Sequence, residues 1–460
     1  MGERNNLVPR SAWHPTIRRS ASSAHEFDSD DVVRSVTKGV RRGASNETYG
    51  ILNLLSSNPS THPPIHPSTR HSLWLILILL IIPSLLHPHI RHIPTDHPTI
   101  QAGINAAADG DTVLVAEGIY FENISFRGKA ITVASRFLLD GDTSHIANTV
   151  IDGSRPIHPD SASVVYFISG EDTTSMLCGF TITHGSGTLT EFQWVDLWYK
   201  AQTGGGIFCD NAGARIVHNR IINNHVAGVG WALGGGVYVD SYDTLTHVIL
   251  DNNHISRNSL TAIENSWGGG LLLISHATVT NNLISYNTSS SDGFAAGAVV
   301  CWSETYPRYV VLKNNRIRHN AASGKHAGFG GGINISGATS VLIIGNDISY
   351  NEVNAGQNCY GGGITLVYRT ASDSIIGNTI THNRAKSQNQ THSRGGGIDL
   401  TYNSNQSTTL ISGNVITHNQ AWIGSAFHSY LSKAQLRDNI VKDNTDMVWE
   451  GIEPEMKHQR

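Results

Sequence analysis

A glycine triplet followed by Ile, Val or Leu stands at Gly204–Gly206, Gly234–Gly236, Gly268–Gly270, Gly330–Gly332, Gly361–Gly363 and Gly395–Gly397. A degenerate copy begins at Ala295, and the successive intervals are 30, 34, 27, 35, 31 and 34 residues. A second motif, N-x-[IV]-x-x-N, interleaves with the first and begins at Asn219, Asn253, Asn282, Asn315, Asn346, Asn378, Asn414 and Asn439. Such a period means stacked units, none of which buries its apolar side chains alone. Units this rich in Gly and Asn do not form helix pairs. Their apolar runs are short and β-branched, bounded by turn residues, as in Gly-Val-Tyr-Val at 236–239. One coil of a parallel β-solenoid per repeat accounts for all of this. Propeller blades run to about 40–45 residues, longer than the period here.

The motif assigns roles to its residues. Asn tolerates the left-handed backbone of a sharp corner, and Asn side chains on successive coils can form amide ladders. Glycine permits positive φ and close backbone approach. Ile255, Ile284, Ile317, Ile348, Ile380 and Ile416 are expected to form one buried column. The residues before the closing Asn, namely Arg257, Tyr286, His319, Tyr350, His382 and His418, are expected to form another. His382 and His418 are neighbours in it, but no third ligand accompanies them, so no metal site is assigned. The four cysteines form no C-x-x-C. Cys209 and Cys301 share a column three coils apart, roughly 14 Å at the coil spacing, which is too far for a disulfide. Cys178 and Cys359 lie farther still along the axis, so all four are expected to be unpaired.

Composition excludes several classes. Charged residues make up only 15%, against about 25% in an average soluble chain, too few for a surface of paired helical charges. The net charge of −4 divides into +3 over residues 1–70 and −7 over the rest. An acidic body has no electrostatic footprint for nucleic acid.

Residues 1–70 lack helical or strand period and are rich in Ser, His, Pro and Arg, which reads as a disordered tail or a mis-called start. An unbroken apolar run from Leu73 to Ile82 continues past Pro83 to Leu86. It is short against the roughly 20 residues of a spanning helix and fits a signal-peptide core. Residues 71–90 are therefore assigned as a signal-like segment, 91–448 as the solenoid, and 449–460 as a polar tail. Membrane contact is expected only through 73–86 if that segment is retained. The expected location is secreted, cell-surface or periplasmic.

The stretch from Ile93-Pro-Thr-Asp-His-Pro-Thr-Ile-Gln-Ala-Gly-Ile onward resembles the opening of right-handed parallel β-helix proteins of the pectin lyase-like superfamily. The resemblance covers about 93–448. It implies a capping helix over Ile100–Ala108, first strands at Thr112–Ala116 and Ile131–Ala134, and further coils at Val150-Ile-Asp-Gly and Gly179-Phe-Thr-Ile-Thr. The expected fold class is thus all-β, a right-handed parallel β-helix of about ten coils with a short N-terminal capping helix. The superfamily spans lyases, hydrolases, esterases, epimerases and adhesins, so it implies no single chemistry. The G-G-G-I repeat also resembles the GGA[IV] repeats of polymorphic outer-membrane adhesins.

The pectinesterase strings Q-A-V, Q-D-T and D-F-I-F-G are absent, as is the R-x-P-x-x-R element of pectate lyases. Thr183-His184-Gly185 is a partial echo of the polygalacturonase G/S-H-G element. Counting from the Gly triplets places Asp210 and Asp240 in one column on neighbouring coils, as candidate catalytic carboxylates; the alternative is a pair of turn caps. The residues preceding the triplets, Trp267, Phe294, Phe329 and Tyr360, are expected to form an aromatic ladder, with Trp231 near the same line. The ladder either packs on itself or stacks on sugar rings as a carbohydrate-binding surface. The sequence thus supports an exported protein that binds or acts on an extended polysaccharide, as a polysaccharide lyase or glycoside hydrolase if catalytic. The other class is a non-catalytic structural or adhesive surface protein. No cofactor, metal or nucleic-acid partner is implied.

Overall fold

The computed structural model describes residues 88–194, 197–242, 246–388, 392–404, 407–445 and 449–450. The signal-like segment at 73–86, the tail at 1–70 and most of the polar C-terminus lie outside these residues.

The chain winds as a parallel β-solenoid. In one coil, Val237–Asp240 and His247–Asp251 lie in a first face, His254–Ser256 in a second, Ser259–Ala262 in a third and Asn265–Trp267 in a fourth. Across the molecule these faces are sheets of 21, 11, 6 and 9 strands. Apart from the antiparallel pairings made by residues 187–203, strands pair in parallel with their equivalents on the next coil, as Val237 does with Leu271 and Ile255 with Ile284. An 11-stranded stack agrees with the coil number expected from the repeat.

The six motif isoleucines form one column and are fully buried. The column extends back through Ile221, Ile182 and Ile151. On either side of it run two asparagine ladders. The side-chain amide of Asn253 donates to Oδ1 of Asn282 at 3.0 Å, and the backbone N–H of Asn253 donates to the same oxygen at 2.8 Å. The second amide hydrogen goes to the Ile216 carbonyl. This pattern runs from Asn219 to Asn439, and a twin runs from Asn224 to Asn444. Every rung up to Asn414 and Asn419 is a polar group removed from water with hydrogen-bond partners inside the protein, the condition on which such burial is tolerated.

The glycine triplet is now explained position by position. Gly234 turns the corner at φ +63. Gly236 has ordinary φ but no room: a Cβ there would meet the Gly270 carbonyl at 2.6 Å and the Asn258 amide nitrogen at 3.0 Å. The triplet is glycine because the ladder and the next coil press against it.

The capping helix spans Ile100–Ala106, ending two residues before the expected Ala108. The Thr99 hydroxyl accepts from the Ala102 N–H, and the Glu122 carboxylate accepts the Ile100 and Gln101 N–H groups at 2.9 Å. Lys129 Nζ donates to the carbonyls of Ile104, Asn105 and Ala107, so its ammonium closes the C-terminal end. The first strands are Thr112–Val115 and Thr132–Ser135, within a residue of expectation. All four cysteines are buried and unpaired. Cys209 and Cys301 share a column through Val239 and Leu273.

Candidate functional site

On the first face two columns of side chains point away from the solenoid core, because alternate residues of each strand do so, and the first of them is itself buried. One runs Tyr166, Phe208, Tyr238, Leu272, Val300, Asn334, Thr365, Asp399, His428. The other contains Asp210, Asp240, Ile274, Trp302, Ser336, Val367, Thr401 and Tyr430. The face is aromatic toward its N-terminal end and polar toward its C-terminal end.

Asp210 and Asp240 are register partners on adjacent coils, as the count from the triplets requires. Burial pushes the Asp240 carboxyl up to about 6; the Tyr238 hydroxyl, donating to it at 3.0 Å, acts the other way, and the Asp210 charge adds to the rise. Burial also raises Asp210 above the usual carboxylate range. Tyr242 stands beside them, largely exposed, its phenol raised by partial burial and by the two carboxylates.

A hairpin of Gly187–Trp194 and Leu197–Thr203 joins the fourth face beside this surface. Its Phe192 and Tyr199 pack on Trp231, ring centroids 5.2 and 5.7 Å away. Trp231 meets Trp267 edge to face at 4.9 Å, and Trp267 meets Trp302 at 5.4 Å. Phe208 and Tyr238 stack at 5.4 Å. The result is a second apolar cluster, outside the solenoid core.

The expected aromatic ladder is not a single column. Trp267 pairs in register with Ala296, then Phe329 and Tyr360 follow. Phe294 stands two residues back, in register with Asn265 and Ala327, and Trp231 belongs to that same column. The cause is the degenerate triplet. Between Ala296 and Val299 stand Gly297 and Ala298, where intact copies have three residues. Trp267 is 6% exposed and Trp231 1%, so their faces are occupied by packing. Phe329 and Tyr360 are half-buried and stack on each other at 5.2 Å.

The column before the closing Asn exists as expected. Tyr286, His319, Tyr350, His382 and His418 all have φ near +56 and stack with centroids 4.6–5.0 Å apart. The His382 and His418 planes are parallel, so their nitrogen lone pairs run in parallel planes and do not converge on an ion between them. Among the described residues no group of three metal-ligating side chains gathers.

Two arrangements carried no signal in the sequence. Asp399 Oδ1 bonds His428 Nδ1 at 2.6 Å across adjacent coils, with the Thr401 hydroxyl donating to the other oxygen at 2.7 Å. All three groups are buried. Arg369 and Asp373 form a bidentate pair at 2.8 and 2.9 Å, also buried, with further guanidinium bonds to the carbonyls of Gly337 and Thr339. The echo at His184 resolves into a bond to Asp152 at 2.9 Å. The polygalacturonase string N-T-D also stands at Asn444-Thr445-Asp446. There Asn444 is spent in the second ladder, and Asp446 lies outside the described residues. Asn444 and His184 are eight coils apart along the ladder, roughly 38 Å, so the two strings do not form one site.

The chain is similar in structure to polygalacturonase from Erwinia carotovora ssp. carotovora, at 8% identity and a TM-score of 0.36 over 79% of this chain and 94% of that one. It is also similar to the receptor binding domain of the Siphovirus 9NA tailspike, at 9% identity and a TM-score of 0.30 over 81% and 77%. No family model matches the chain, and no curated protein matches it.

Proposed function

We propose that the protein binds and cleaves an extended polysaccharide along the outer surface of its first face. The observation that carries this reading is the Asp210–Asp240 pair. Adjacent coils place the two residues about 4.8 Å apart at the backbone, close to the roughly 5–5.5 Å carboxyl separation of a retaining glycosidase. Asp240, pushed up to about 6, keeps its proton nearer to neutral pH and serves as the acid. Asp210 serves as the nucleophile. Tyr242 and Trp302 supply ring surface beside the pair, and the half-open Phe329 and Tyr360 extend it along the axis. Such a substrate lies outside the cytoplasm, and the apolar run at 73–82 is the segment assigned to export.

The test is a screen for reducing and unsaturated ends against a polysaccharide panel, with wild type, Asp210→Asn and Asp240→Asn. Cleavage by wild type that both variants lose supports the assignment. Cleavage that survives in both removes the pair from the chemistry.

The filled aromatic corner favours a second reading, a non-catalytic adhesive or structural surface protein, because Trp231 and Trp267 spend their rings on packing. Wild type that cleaves nothing and is retained on no polysaccharide gel selects this reading.

A further inference from the structure

The second face carries arginines that no other described residue neutralises. Arg220 and Arg316 stand in one outward column, separated by His254 and Leu283. Arg318 stands in the other, following Ser256 and Ser285. Arg257 flanks both at the left-handed corner, φ +54. The four fall within four consecutive coils, a span of roughly 14 Å. Among the described residues none of their guanidinium groups has an ion pair or a hydrogen-bond acceptor. The Arg318 Nε is moreover buried with its donor unmet, a costly condition for a charged group. The acidic residue next along the Arg316 column, Asp347, forms no bridge to it.

Three of these cations also act on one imidazole. His254, set among them, is held below the usual histidine range first by burial and then by the charges of Arg220, Arg257 and Arg318. The body outside residues 1–70 carries −7, so a cluster of four unpaired arginines departs from the average field of the molecule. Guanidinium groups present planar forks of donors that match the several acceptor oxygens of a tetrahedral oxyanion. Ser256 and Ser285 precede Arg318 in its column and are buried.

We propose that the second face is a binding surface for an extended polymer bearing sulfate or phosphate esters, its anions held by Arg220, Arg257, Arg316 and Arg318. The charges follow the solenoid axis at the coil spacing, which suits a linear chain laid along it. A membrane would ask for an apolar rim, and duplex nucleic acid for a longer basic track on a less acidic body. This surface is distinct from the Asp210–Asp240 face and does not depend on any cleavage there.

The experiment is calorimetric titration of the full chain with dextran sulfate and with inorganic polyphosphate at low salt, with unmodified dextran as control. At least one polyanion is expected to bind, and binding is expected to weaken steeply as salt is raised. Retention of dextran sulfate alone assigns sulfate, and of polyphosphate alone phosphate. The double variant Arg257→Gln/Arg318→Gln is expected to bind about tenfold more weakly or worse. Arg316→Gln, an exposed change, is expected to weaken binding in the same direction. Failure of both polyanions to bind overturns the proposal, as does binding equal to wild type by Arg316→Gln and by the double variant. So does retention on duplex DNA or anionic phospholipid vesicles without either polyanion.

Discussion

Asp240 faces Asp210 across one coil spacing while accepting the Tyr238 hydroxyl at 3.0 Å, so its carboxyl is buried between a like charge and a phenol. The folded state therefore holds the Asp240 proton more tightly than the unfolded chain does. Its carboxyl rises from 3.8 to about 6 on folding, and this contribution to stability is complete below about pH 4 and lost as pH rises through about 6. Two pK units correspond to roughly 3 kcal/mol. Thermal unfolding followed from pH 4 to pH 7 is expected to show wild type losing stability relative to Asp240→Asn across this window. Parallel pH profiles for the two proteins would refute the assignment.

Asn320 sits in the middle of the second ladder. Its amide donates to Asn351 and to the Ile284 carbonyl, and its oxygen accepts from the backbone and side chain of Asn287. Asn320→Ala strands donors on one side and acceptors on the other, at about 1–3 kcal/mol each. A loss of about 3 kcal/mol or more is expected in urea unfolding, with hydrogen exchange accelerated at the Asn287 amide. Asn320→Asp keeps the acceptor and lacks the donor, so it should lose less protection at Asn287 than Ala does.

Ile348 is fully buried between Ile317 and Ile380. Coils stacked on a common backbone spacing cannot collapse sideways to fill a hole. Ile348→Ala is expected to cost about 2–5 kcal/mol, measured by denaturant unfolding. A cost below 1 kcal/mol would show a core that relaxes around the cavity.

Arg369 and Asp373 separate in a double-mutant cycle. Either single change, Arg369→Met or Asp373→Asn, leaves a buried charge or its donors unmatched and is expected to cost about 3–5 kcal/mol. The two together are expected to cost less than the sum, because the pair's desolvation is then relieved on both sides. Strict additivity in thermal unfolding would show that the two act independently.

What repeats was legible in the sequence, and what varies from coil to coil was not. The isoleucine column, the two amide ladders and the ring stack through Tyr286 and His382 occupy fixed offsets within every repeat, so one copy predicts the next. The Asp210–Asp240 register was readable for the same reason, since both follow intact triplets. Phe294 was misplaced because its coil is one residue short and Gly297–Ala298 fill the place of the triplet, so a count that starts the triplet at Ala295 lands two positions early. The Asp399–His428 bond lies on an outward column whose residues change identity at every coil, so no period marks it. Arg369 and Asp373 are four apart, a spacing that suggests a helix in isolation, yet they close a turn of the first face. Only the stacked backbone brings these partners together.

The two amide ladders connect each coil solely to its immediate neighbours, through the same atoms in the same geometry. The molecule is therefore modular in the sense of a ruler. Excising residues 330–360 joins Phe329 to Gly361, offers Asn315 to Asn378 and Asn320 to Asn383, and shortens the axis by about 4.8 Å with no rung left open. Length along the axis, and with it the distance between the Asp210–Asp240 pair and anything bound toward the C-terminal end, can change by whole coils in a single insertion or deletion while the cross-section stays as it is.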